Sequence, residues 1–450
     1  MNKVLVLGAG LVSRPLVRYL LDQPDFRVTV ASRTVSKAEA LVAGHPHGTT
    51  TQLLADDAAK LEALVREHDL AISLLPAPLH PVVAELCVRH RKHMVTTSYV
   101  SPKMRAMDGP AREAGVTLLN EIGLDPGIDH MSAMRVIHDV RRRGGKVVSF
   151  RSYCGGLPAP EANDNPWGYK FSWSPRGVCT AGKNAARYRE NGQQVDIPGP
   201  ELFLHHHPVN VEGVGRLEGY PNRDSLGYIE LYGLEGVETM FRGTLRYPGW
   251  CRTMKAVVDL GMLDETPVTY PPGMTFAEWT ARLIGADSSA KIRHKVAQRL
   301  NMGLRANPLE RMAWLGLFSN DPLPITGRQT TALDILATRM EQKMCYRPKE
   351  RDMIVLLHHF VGRFPDRADE HISSTLIDFG QPEGDSAMAR TVSLPAAIAT
   401  KLILTGAIRE AGVHIPVRPE IYGPVLDELA TMNIRCVEKT AEGATARKRR

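Results

Sequence analysis

Cysteine is sparse in this 450-residue chain, and its six copies (Cys87, Cys154, Cys179, Cys251, Cys345, Cys436) are scattered with no Cys-x-x-Cys pair. Neither a zinc site nor a disulfide framework is implied, and no metal is expected; the usage fits a reducing cytoplasm. Long apolar runs are missing too. The longest, around residues 394–404, contains Pro395 and Lys401 and is too short to span a bilayer, so no membrane partner is expected. The first strand-like segment starts at residue 4, which leaves no room for a signal peptide. Charge of one sign is also scarce. The formal net charge is +7, and four of those charges sit in the terminal Arg447, Lys448, Arg449 and Arg450, leaving +3 for the body. That is too little to argue for nucleic acid, and a few arginines holding anionic ligands account for it equally well. The tail over 441–450 reads as a disordered basic end. Internal repeats and low-complexity linkers are absent. With 43% hydrophobic and 23% charged residues, the chain has an ordinary globular composition and length enough for two or three domains.

What is present begins at once. The segment VLVLGAGLVSRP (4–15) runs four apolar residues into Gly8 and Gly10, with Pro15 in the first turn of an apolar-periodic segment. This is a buried strand, a tight glycine turn and a helix N-terminus, which bring main-chain N–H groups and a favourable helix dipole to a pyrophosphate. Ser13 stands at the third position of the usual G-x-G-x-x-G fingerprint, so the loop alone is a weak signal. A second strand over 28–31 ends in Ser32, Arg33 and Thr34, where NAD-binding proteins carry an acid for the ribose 2′-hydroxyl. Arginine there suits a 2′-phosphate, and the cofactor expected is NADP.

Strand-like segments at 51–54 (an edge strand), 70–75, 93–97 and 116–119 alternate with helical patterns at 36–42, 58–67, 81–90 and 102–114. The alternation predicts a Rossmann-type doubly wound parallel sheet, an α/β domain over 1–130. Ligands of such sheets sit beyond the strand carboxyl ends, which singles out 8–14, 32–34, 75–78, 96–99 and 120–125. From about 146 the texture changes. A strand over 147–153, a turn-rich loop over 154–160 and short strands near 225–231 and 238–245 point to an α+β domain with an antiparallel sheet over 131–252, completed by 346–389. Residues 253–345 read as a helical subdomain. The apolar helical pattern at 387–404 is expected to return to the first domain and complete it over about 390–440.

Several longer motifs carry a resemblance. TTSYVSP (96–102), NEIGLDPGIDH (120–130), SYCGGLPAPE (152–161), DNP (164–166), YKFSWS (169–174), YPNRDS (220–225) and RGTLRY (242–247) resemble the saccharopine reductase family, the glutamate-forming, NADP-dependent saccharopine dehydrogenases. The resemblance continues through WLGLFS (314–319), ERD (350–352) and SAMA (386–389), almost the whole chain. It implies cofactor contacts at Leu11, Val12, Ser13, Arg14, Arg33, Thr34, Val35, Leu75, Thr97, Ser98, Leu124, Asp125, Pro126 and Ser174, beside Gly8 and Gly10. It implies substrate contacts at Ser98, Tyr99, Asp125, Arg223, Thr244, Leu245 and Arg246. Two positions depart from the family pattern: Leu54 and Ala55 stand where an aspartate is usual, and Leu74, Leu75, Pro76 and Ala77 replace a stretch ending in tyrosine.

A tricarboxylate such as saccharopine needs several cationic donors, and guanidinium groups fork onto carboxylates. Arg223 and Arg246 suit that role, although salt bridges to Asp224 or Glu230 are the structural alternative. Asp125 could equally start an Asp-Pro turn, and Tyr99 could be core. With the resemblance, both are assigned to substrate and to proton traffic as the catalytic pair. Cys154 reads as a small apolar lining residue, Met340 and Met344 as core, and His205, His206 and His207 as a solvated loop, since consecutive strand residues cannot all face one ion. The expected protein is an oxidoreductase with a small amino-acid substrate, working as a homodimer. Its rivals are an imine reductase acting on a polyamine, which would favour a carboxylate-rich pocket, and a non-catalytic NADP sensor, which would have lost Tyr99, Asp125 or the arginines.

Overall fold

The computed structural model describes residues 1–54 and 56–442, so Ala55 and most of the expected basic tail lie outside the described residues. The part of that tail within them continues a strand, Val437–Glu442. The chain divides into two compact units, 1–147 with 362–450 and 148–361. The division differs from the expected domain limits at both ends. The helix Ile128–Arg142 is buried along most of its length and belongs to the first unit.

The first unit holds a seven-stranded sheet in the order β3-β2-β1-β4-β5-β6 followed by Gly412–His414. Its strands are β1 (Asn2–Leu7), β2 (Phe26–Ser32), β3 (Gly48–Gln52), β4 (Leu70–Ser73), β5 (His93–Val95) and β6 (Thr117–Leu119). Every pair is parallel. The central strands Val4 to Leu7 and Leu70 to Ser73 are buried on both faces, as a sheet covered on both sides requires. The expected 102–114 helix is broken into Pro102–Arg105 and Asp108–Ala114. Ala387–Leu404 is long and apolar enough to cross a membrane, yet it is a buried core helix packed against α1 (Ser13–Leu21). A second element of this unit pairs Glu370–Phe379 antiparallel with Val437–Glu442.

The second unit is built on β7 (Lys146–Pro158), β8 (Ala186–Glu190), β9 (Gln193–Ile197), β10 (His207–Val211), β11 (Gly215–Pro221) and β12 (Thr239–Arg246), with Asp352–Arg363 beside β7. The expected antiparallel sheet is in fact mixed, because β12 runs parallel to β7. Two local expectations also fail. Residues 154–158 do not form a loop: β7 continues through them, and Gly155 is there because a Cβ would meet Leu245 Cβ and O at 2.8 Å. Residues 227–231 form a short helix rather than a strand. The helices from Trp250–Asp259 to Ala332–Lys343 share one core with Trp167, Tyr169, Phe203 and Tyr220, and Met340 and Met344 are wholly buried in it. That continuity is why no separate helical unit splits off. His207 begins β10 and bonds Tyr153 Oη at 2.8 Å, so only His205 and His206 are exposed.

Candidate functional site

In the first unit, the segments at 8–14, 33–35, 75, 96–99 and 124–126 all follow the carboxyl ends of parallel strands of one sheet. Gly8 adopts φ 117° against Leu74 O, where an added Cβ would sit at 3.0 Å. Gly10 faces open space at its Cβ position. Ser13 replaces the third glycine with a side chain that is useful to the turn. Its buried Oγ accepts from Gly10 N (3.0 Å) and lies 3.4 Å from Gly8 O. Helix α1 has no side-chain cap and no acid in its first turn, and Leu11 at its entrance is 72% exposed. Ser13 N donates to Gly10 O (3.2 Å) and Pro15 carries no N–H, so it is the amides of Leu11, Val12 and Arg14 that are left to an anion. Arg14 is ion-paired with Asp385 at 2.8 Å. Arg33 and Thr34 are exposed, and among the described residues the Arg33 guanidinium has no ion-pair partner. An uncapped helix end, a glycine cradle and an unpaired arginine at the second strand end fit a dinucleotide with a 2′-phosphate.

Tyr99 and Asp125, 26 residues apart, are brought together, with Tyr99 Oη donating to Asp125 Oδ1 at 3.1 Å. Two braces hold them. Glu121 N donates to Ser98 O (3.1 Å) while Glu121 Oε1 accepts from Val100 N (2.9 Å), so both peptides flanking Tyr99 are tied to one residue. The same carboxylate holds the buried His130 Nε2 at 2.8 Å. On the Asp125 side, Gly127 has φ 149° and Gly123 O would lie 2.0 Å from any Cβ there, so the turn admits only glycine. Leu124 is buried and Asp125 half-buried. Ser98 Oγ is 2.8 Å from His80 Nε2, whose Nδ1 is 2.8 Å from Ser73 Oγ.

In the second unit, Thr244, Leu245 and Arg246 end β12. Arg246 is only 6% exposed, with Nη1 donating to Leu245 O at 2.7 Å and Nε without a partner. Its guanidinium lies over Tyr169 (4.8 Å to the ring centre) and near Trp250 (5.5 Å), whose indole N–H is also buried without a partner. The carboxylate opposite in register, Glu218, is occupied elsewhere. It accepts from Gly249 N (2.6 Å) and Cys251 N (3.1 Å) at the start of the helix Trp250–Asp259. Burial pushes the Tyr220 phenol up to about 12, with Arg246 drawing it back down, and raises Tyr169 likewise, so neither supplies a counter-charge at neutral pH. A buried guanidinium without an anion is costly, and an incoming carboxylate would relieve that cost.

Arg223 is different. It is exposed, sits in a left-handed conformation (φ 55°) just past β11, and its carbonyl accepts from Arg187 N. The β11–β12 register puts it level with residue 241, five strand positions from Arg246 and so roughly 17 Å away along the sheet. Ser174 is the one expected cofactor contact not at the strand ends of the first unit. It lies in the second unit and caps Pro175–Ala181 by accepting from Gly177 N at 3.1 Å. Sequence reasoning gave no role to Ser73, His80, Glu121, Tyr169 and Trp250; Glu121 and Tyr169 stand inside quoted motifs, while Ser73, His80 and Trp250 lie outside them.

A doubly wound sheet with this cradle defines an NADP-binding oxidoreductase. The family models agree. The saccharopine dehydrogenase NADP binding domain matches residues 4–119, and the saccharopine dehydrogenase C-terminal domain matches residues 123–434. The chain belongs to the saccharopine dehydrogenase family. It is 42% identical to a saccharopine dehydrogenase [NADP(+), L-glutamate-forming] of Schizosaccharomyces pombe over 98% of this chain and 99% of that one. It is 39% identical to the mitochondrial alpha-aminoadipic semialdehyde synthase of Bos taurus, covering 96% of this chain but 47% of that longer protein. Its fold is similar to that of the apo saccharopine dehydrogenase (L-Glu forming) from Saccharomyces cerevisiae, with TM-score 0.88, 40% identity, and 98% and 100% of the two chains covered.

Proposed function

We infer that the chain interconverts L-saccharopine with L-glutamate and L-2-aminoadipate 6-semialdehyde, as a glutamate-forming, NADP-dependent saccharopine dehydrogenase of lysine metabolism. One observation carries this: 42% identity kept over 98% of the chain and 99% of a relative that bears that activity in its name. NADP, when bound, supplies the hydride chemistry at the substrate carbon. The residues that would hold it are the Gly8–Gly10 turn with the start of α1, and Arg33 for the 2′-phosphate.

The rest falls to this chain's side chains. In the oxidative direction the C–N bond of the secondary amine becomes an imine, water adds to its carbon, and the adduct splits into amine and aldehyde. Each stage moves a proton. We assign that traffic to Asp125 and Tyr99, which share a 3.1 Å hydrogen bond, with Asp125 accepting from the substrate nitrogen and Tyr99 serving the oxygen of the adduct. Arg246 binds one substrate carboxylate and Arg223 a second. Support for the first is its buried, anion-free guanidinium. NADPH consumption on adding glutamate and the semialdehyde, set against the semialdehyde and a diamine, tests the reading. Turnover with the diamine and none with glutamate would replace it with a polyamine-directed imine reductase.

A further inference from the structure

The first unit contains a hydrogen-bonded relay that ends at Ser98. Ser73 Oγ lies 2.8 Å from His80 Nδ1, and His80 Nε2 lies 2.8 Å from Ser98 Oγ. Ser73 is wholly buried at the end of β4, His80 is 3% exposed, and Ser98 alone of the three is partly accessible. The direction of the relay follows from counting protons. His80 is the sole side-chain or backbone partner of Ser73 Oγ among the described residues, and if Nδ1 donated to it the buried hydroxyl hydrogen would be left without an acceptor. Ser73 therefore donates to Nδ1. The ring then carries its proton on Nε2 and donates it to Ser98 Oγ. Burial holds the imidazole pKa down at about 4, so the ring is neutral and has a single N–H to give at neutral pH. With one lone pair of Ser98 Oγ thus occupied, its own hydrogen has no acceptor among the described residues.

We propose that Ser73 and His80 fix Ser98 as a hydrogen-bond donor to a carboxylate oxygen of the bound amino-acid substrate, making His80 a positioning residue of the reaction. This rests on reading Ser98 as a saccharopine contact. An unconstrained serine can turn its hydroxyl to donate or accept, and a carboxylate needs only donors. The relay removes the wrong choice before the substrate arrives.

The test uses the full-length chain with His80→Phe, His80→Gln, Ser98→Ala, Ser73→Ala and the His80→Phe/Ser98→Ala double variant. His80→Phe and Ser98→Ala should each raise the saccharopine KM roughly tenfold, the scale of one hydrogen bond to a charged group. The double variant should be no worse than either single one, because both break the same contact. His80→Gln keeps an N–H near the Nε2 position and should restore most of the loss. NADPH affinity, read by fluorescence titration, should stay within about twofold in His80→Phe, His80→Gln and Ser73→Ala, the variants that leave every expected cofactor contact in place. An unchanged KM in His80→Phe, additive losses in the double variant, or an equal loss of NADPH affinity in those variants would each overturn the proposal. Should His80→Phe fail to fold, Ser73→Ala decides. Freed from its tautomer lock, His80 should cost Ser98 part of its effect and raise KM by roughly threefold, and no change would overturn the relay. A wild-type chain that does not turn over saccharopine would refute the proposed function instead.

Discussion

In the first unit the groups offered at the glycine loop are backbone amides at the end of a buried strand, while in the second unit they are the guanidinium of Arg246 and the rings around it. The first arrangement needs little beyond small residues and a helix, so it is robust to side-chain change and readable from twelve consecutive residues. The second depends on a charge left without an anion in a buried setting, which is costly until a carboxylate arrives. Glu218 shows how that cost persists: the nearest carboxylate in register is held by the amides of Gly249 and Cys251. In the proposed site the pyrophosphate end of the cofactor thus falls to the backbone, and the substrate carboxylates to side chains.

The sharpest way to break that contrast is Arg246→Ala. It should weaken saccharopine binding by about 2–5 kcal/mol, because a substrate carboxylate would then be buried without a partner. Titration calorimetry reads this directly, and a loss below about 1 kcal/mol would make the arginine structural. Next in size is an acid effect at His80, in the first unit. Above about pH 6.5, His80 is neutral in both the folded and the unfolded chain. Between about 6.5 and 4 the unfolded chain takes up a proton that buried His80 refuses, so stability falls as the pH drops. The full penalty is about 3 kcal/mol, and the difference in melting temperature between wild type and His80→Gln across pH 4.5–7.5 should show it; parallel curves would argue against a buried neutral ring.

Arg33→Ala comes third. Losing one charge-assisted contact to the 2′-phosphate should cost about 1.5–3 kcal/mol of NADP affinity and leave NAD binding almost untouched. Equal losses for both cofactors would remove Arg33 from that role. The smallest expected effect is at Arg223. Because it is exposed, the carboxylate contact proposed for it would be solvent-screened, and Arg223→Ala should raise the saccharopine KM by only about fivefold, well short of Arg246→Ala. If the two variants lose equally, burial does not set the strength of the carboxylate contacts.

Much of the parallel sheet could be read from the sequence because its strands are short apolar runs bounded by small residues, and β1, β2 and β4 came from that pattern alone. The errors cluster where glycine or tertiary packing reverses a local preference. Gly155 looked like part of a turn, yet it marks the close approach of two strands at Leu245. Residues 227–231 carry Tyr and Ile, which favour strands, but the chain there forms a helix that buries Tyr228. Tyr99 and Asp125 were visible through their motifs, and their mutual hydrogen bond was not, since 26 residues separate them. His80 gave no signal at all: its partners Ser73 and Ser98 come from two different strand ends, and only the folded sheet makes them neighbours.

The division of labour between backbone and side chains is tested most directly by steady-state kinetics of Arg246→Lys with saccharopine and NADP both varied. A lysine keeps the charge and loses the planar fork, so the saccharopine KM should rise while the NADP KM stays at its wild-type value. A rise in both constants together, or in neither, would contradict the account.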